Sequence, residues 1–73
     1  MAMQVVMDHS GDRRHHFDRN DLESVAEAER RFHELIGQGF TAAARVGPGE
    51  VSKISAFDPA IEETLFVPRL IGG

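Results

Sequence analysis

The sequence predicts a small α+β domain in which one mixed sheet packs on one helix. Two observations carry that expectation. Apolar residues recur at helical spacing between Leu22 and Ile36, and short β-type runs lie on both sides of them, broken at Ser10-Gly11-Asp12, Gly47-Pro48-Gly49 and Asp58-Pro59. The chain has 73 residues, so it is read as a single domain over 1–73 with 68–73 as an exposed C-terminal tail. A domain of this size buries only about 60% of the surface its unfolded chain exposes, and is correspondingly marginal.

Met3 to Asp18 is expected to form a β-hairpin turning at Ser10-Gly11-Asp12, where Gly11 can take the positive φ that tight turns demand. With that loop, His9 faces Arg13, Met7 faces His15 and Val5 faces Phe17. Met3, Val5, Met7 and Phe17 then share an inward face, while Gln4, Asp8, Arg14, His16 and Asp18 face solvent and Asp8 pairs with Arg14.

Asn20 or Asp21 is placed to cap a helix, with Glu23 completing a capping-box-like start. Leu22, Val25, Ala28, Phe32, Leu35 and Ile36 form its apolar stripe, opposite Glu23, Glu27, Arg30, Arg31 and Glu34, with Glu27 and Arg31 as an i,i+4 pair. Gly37 and Gly39 supply the stop.

Phe40 to Val46 alternates as a strand, Gly47-Pro48-Gly49 turns, and Glu50 to Phe57 is a partner strand. Asp58-Pro59 is expected to open one helical turn, with Asp58 as its N-cap. Thr64 to Val67 is the last strand, ahead of Pro68, which cannot donate to a sheet ladder.

Composition bounds the function. The formal net charge of -4 argues against a nucleic-acid partner, which calls for a basic patch. With no Cys there is no disulfide, thiolate metal site or catalytic thiol, which fits a cytoplasmic protein. No apolar run approaches the roughly eighteen residues needed to cross a bilayer, so no membrane partner is expected. Met1-Ala2-Met3 opens no signal peptide, and Met3 hints at the natural start. No nucleophile stands at recognisable spacing from a base and no phosphate-cradling loop appears, so the chain is read as a non-enzyme that needs no cofactor of its own. Glu62-Glu63 reads as surface charge.

Asp8, His9, Asp12, His15, His16 and Asp18 are ligand-type residues that could hold zinc. Adjacent His15 and His16 point to opposite faces of a strand, however, so a solvated polar hairpin is the stronger reading and no metal is assigned. His33 is read as exposed on the helix.

The last residues, Glu63-Thr64-Leu65-Phe66-Val67-Pro68-Arg69-Leu70-Ile71-Gly72-Gly73, give the most specific signal. Gly has no Cβ and lets another backbone or a ligand come close, so two glycines at the end minimise steric obstruction. With Gly at about 7% of residues, a chance Gly-Gly end is expected in roughly 0.5% of chains, so the motif is informative.

Arg69-Leu70 before Gly72-Gly73 resembles the tail of ubiquitin, with Ile71 where ubiquitin has an arginine. Val67-Pro68 before an apolar residue and Gly-Gly is similar to the sulfur carriers of thiamine and molybdopterin synthesis. Met3-Gln4-Val5-Val6-Met7 followed by Ser10-Gly11 also looks like ubiquitin's first strand and turn.

The resemblance implies a ubiquitin-like β-grasp: hairpin, helix, then two to three strands, with the last strand central. It implies a carrier or modifier whose Gly72-Gly73 carboxylate is adenylated by a separate ATP-dependent activating enzyme, for sulfur transfer or for conjugation to a protein acceptor. Arg69, Leu70 and Ile71 would be gripped by the adenylating enzyme. Lys53, the one lysine in the chain, would be the site of any lysine-linked chain. The second strand, Arg13 to Phe17, is far more polar than ubiquitin's, and binding to ubiquitin receptors is not carried over. The alternative is a non-catalytic α+β protein-binding module, phage- or operon-associated, with a passive tail.

Overall fold

The computed structural model describes residues 1–68. Its elements are β1 (Ala2–Asp8), β2 (Gly11–Phe17), α1 (Leu22–Gly37), β3 (Phe40–Gly47), β4 (Glu50–Ile54) and β5 (Glu63–Pro68). They form one mixed five-stranded sheet in the order β2-β1-β5-β3-β4, with α1 packed on one face. The arrangement is a small α+β domain compatible with a β-grasp.

The hairpin forms, but in a different register from the one expected. The loop is His9-Ser10 and the strands close with Asp8 opposite Gly11, Gln4 opposite His15 and Ala2 opposite Phe17. Asp8 drives the change, because its Oδ1 accepts bonds from Ser10 N at 2.8 Å and Ser10 Oγ at 2.6 Å. That local turn places Gly11, at φ 121°, in the first position of β2 rather than inside the loop. Asp8 consequently pairs with Arg13, at 3.4 Å, and not with Arg14.

The new register changes which side chains face the helix. Ala2 and Phe17 pack with Ala28 of α1, and Val6 packs with Phe32, Leu35, Ala42 and Phe66. Gln4, expected in solvent, is fully buried: its Nε2 donates to Ala28 O at 2.9 Å and its Oε1 accepts from Arg31 at 2.8 Å. Val5 is buried as expected, but on the sheet face away from the helix.

α1 starts at Asp21, whose Oδ1 accepts from Glu23 N at 3.0 Å. Ala28, Phe32 and Leu35 are its buried residues, and Val25 packs at the margin. The ends of the expected stripe stay outside: Leu22 is 86% exposed and Ile36 39%. Arg31 is directed to Gln4 rather than to Glu27, because a bond to a buried amide is worth more than a solvated surface pair. His33 is exposed, with Nε2 3.8 Å from Glu29. The chain leaves the helix through Gly39, whose φ of 100° only glycine adopts freely.

β3 agrees with its expected bounds within one residue. β4 stops at Ile54, short of the expected Phe57, because residue 57 turns inward: the Phe57 ring lies 6.0 Å from Phe17 and 5.9 Å from Phe32. Asp58 does cap the next segment, with Ala60 N bonded to its Oδ1 at 2.9 Å and Ile61 N to its carbonyl at 3.2 Å, but that segment is a turn and not a helix.

Candidate functional site

Arg69, Leu70, Ile71, Gly72 and Gly73, the residues expected to be gripped and activated, lie outside the described residues. The strand that leads to them is described in full. β5 runs parallel to β1, with Val6 opposite Phe66, and antiparallel to β3, with Ala42 opposite the same Phe66. It is therefore the middle strand of five.

The sequence of β5 suits that place. A strand whose side chains are buried on both faces needs a near-continuous apolar run, and Thr64, Leu65 and Phe66 are all buried. Phe66 is fully buried, its ring 5.6 Å from Phe32. The start of the strand is fixed by Arg45, whose Nε lies 3.2 Å from Glu63 Oε1, and by Met3 N, which donates to Glu62 O at 2.8 Å. Its end is open: Val67, opposite Thr41, is 37% exposed, and Pro68, opposite Phe40, is exposed.

Around this open end the scaffold is firm on one side and grooved on the other. Asp8 closes the neighbouring turn, and the Ser10 hydroxyl bond, followed by the Ser10 amide bond, holds its carboxyl below the usual carboxylate range. On the β3 side, Phe40, Ile36 and Ile54 line an open cleft of ≈ 340 Å³ whose rim carries Lys53. The only lysine of the chain thus lies on the half of the sheet that also holds the exit of β5.

The sheet face away from α1 was not legible as a surface in the sequence. Val5, Leu65 and Ala43 stand side by side in the register, in the row next to Val6, Phe66 and Ala42. Val5 and Leu65 are buried there without a helix over them, and Val67 lies further along the same strand face. The alternation of β1 pointed only to which of its two faces was more apolar, and both are.

The histidines do not converge. His9 sits in the turn, His15 is opposite Gln4 on the helix side of β2, and His16 is opposite Met3 on the other side. Among the described residues no group of three His, Asp or Glu side chains is placed to hold a metal ion. No helix among them is long and apolar enough to cross a membrane.

No protein-family model, curated protein or solved structure matches this chain at a significant level. The arrangement itself must carry the chemical reading. What it offers is a central strand buried through Phe66 with an exposed carboxy end.

Proposed function

We propose that the chain is a ubiquitin-like β-grasp carrier or modifier whose C-terminal Gly72-Gly73 is activated by a separate adenylating enzyme. The observation that supports this most is the place of β5: a final strand held between β1 and β3, buried through Phe66 and open from Val67. The strand order and the single helix accord with the β-grasp that the tail and the first strand resemble.

In this reading the folded domain is a handle and the tail is the reactant. The Gly73 carboxylate oxygen attacks the α-phosphorus of ATP, an acyl-phosphate bond forms and pyrophosphate leaves. A thiol, a sulfide or a protein amine then attacks the acyl carbon, and AMP departs with the bonding electron pair. ATP and the catalytic groups belong to the partner, and Arg69, Leu70 and Ile71 are what the partner grips. Incubation with ATP and a candidate adenylating enzyme, followed by intact-mass measurement, tests the reading. A mass gain that vanishes when Gly72 and Gly73 are deleted supports it, and an unchanged mass gain after that deletion refutes it.

The second reading, a non-catalytic protein-binding module with a passive tail, is favoured by the β3–β4 hairpin, where Val46 is 63% and Val51 53% exposed on an edge of the sheet. It requires that partner capture survive removal of 69–73 and fail with Val51→Glu.

A further inference from the structure

We propose that the cleft between β2 and α1 is a binding site for an oxyanion, a sulfate-, phosphate- or carboxylate-type group held by Arg13, His15 and Arg31. The cleft measures ≈ 190 Å³ and is lined by those three residues together with Glu34 and Gln38. Nothing about the C-terminal tail is needed for this assignment.

Arg31 is the centre of the site because it is the one cation there with a fixed position. A guanidinium carries five donors in a rigid fork, and one of them is held by Gln4 Oε1 at 2.8 Å. Gln4 is itself locked by its bond to Ala28 O at 2.9 Å. A buried glutamine in a core row is otherwise hard to account for, since an apolar residue of that size would pack there without any polar group to satisfy. Its amide instead holds Arg31 at the cleft, leaving the remaining donors of the guanidinium available for a planar or tetrahedral oxyanion.

Arg13 contributes from the edge strand. Its one contact with an acid among the described residues is the long approach to Asp8, at 3.4 Å, and Asp8 is already engaged by Ser10. Arg31 makes no ion pair among the described residues. A chain of net charge -4 therefore keeps two arginines at one cleft, Arg31 with no ion pair among the described residues and Arg13 with only the long approach to Asp8.

His15 reports the field at this place. Its pKa is lowered, first by burial and then by Arg31 and Arg13. The groups that face it are Gln4 from β1, Arg13 from its own strand, and Arg31 and Glu34 from α1. Cations dominate, and the Glu34 carboxylate does not offset them. An oxyanion between the arginines cancels that repulsion, so its binding raises the pKa of His15 and protonation of His15 in turn tightens the anion.

The experiment tracks the histidine ring signals of the full chain by NMR during titration with sodium sulfate, whose charge is constant over the relevant pH range. Sodium chloride at matched ionic strength is the control, and sodium acetate distinguishes carboxylate from tetrahedral oxyanion sources. The expected result is a saturable shift of His15, with a raised pKa, while His33 responds as it does to chloride. Arg31→Gln weakens binding about tenfold or more, as loss of a charge-assisted bond predicts. Since that variant also strips Gln4 of its partner, Arg13→Gln on the exposed edge is the second test, with weaker anion binding in a domain whose melting temperature above about pH 7 is unchanged. A His15 response to both sulfate and acetate no different from chloride overturns the site, as does undiminished binding by Arg13→Gln.

Discussion

The Phe66 ring of the last strand meets the Phe32 ring of the helix edge-on, with centroids 5.6 Å apart and planes at 72°. One contact thus ties the strand that leads to the C-terminus to the single helix. Both rings are buried, and removing one leaves a cavity bounded by Val6, Leu35 and Ala42. Phe66→Ala is expected to cost about 3–5 kcal/mol. That is a large share of the roughly 4–11 kcal/mol available to a domain of this length. Urea denaturation is expected to find the variant's midpoint well below that of wild type, and a midpoint close to wild type would contradict the packing described.

Gln4 gives a sharper test, because its cost is polar rather than steric. Gln4→Ala leaves the Ala28 carbonyl without its second donor and the Arg31 guanidinium without its acceptor, at a cost of about 1–3 kcal/mol. A double-mutant cycle with Arg31→Gln should return a coupling energy well above zero. Additive costs would mean that the two side chains act separately.

Helix termini contribute smaller, separable increments. Asp21→Ala removes the bond to Glu23 N and is expected to cost about 0.5–2 kcal/mol. Gly39→Ala forces a Cβ onto a residue at φ 100° and should cost about 1–2 kcal/mol, although nothing lies within 4 Å of the added atom. Thermal melts of the two variants and of their combination should show near-additive losses, since the sites lie at opposite ends of α1.

The pH dependence originates at His15. Its folded-state pKa is lowered, so in the window between that value and the ordinary 6.5 the unfolded chain binds more protons than the folded one. Stability is therefore higher above about pH 6.5 and falls as pH drops through the folded pKa. Arg13→Gln removes one cause of the depression, and the acid-side loss should shrink. Asp8, also lowered, adds a separate loss at lower pH, as its folded-state value is crossed from above. Urea midpoints measured from pH 8 to pH 3 for wild type, Arg13→Gln and Asp8→Asn would resolve the two phases.

The elements with a strong period are legible in the sequence, and those decided by neighbours are not. The stripe from Val25 to Leu35 fixes α1, and the apolar run Leu65-Phe66-Val67 accords with a central strand. The hairpin register escapes sequence reasoning because Gly11 has the marks of the middle of a turn, whereas the Asp8–Ser10 bonds close the turn one step earlier. Gln4 carries no sequence signal at all: its burial depends on a carbonyl 24 residues away. The polar second strand is explained by its position, since β2 is an edge strand and only its last residue, Phe17, reaches the core. The shortfall of β4 has the same origin, with Phe57 drawn off the strand into the aromatic cluster.

The proposal that this domain carries a tail for activation stands or falls on the terminal carboxylate. ATP–pyrophosphate exchange, with labelled pyrophosphate, a candidate adenylating enzyme and the full chain, measures the first chemical step. The account predicts exchange that depends on the chain, persists in Arg13→Gln and disappears on deletion of Gly72-Gly73. Exchange unaffected by that deletion would contradict it.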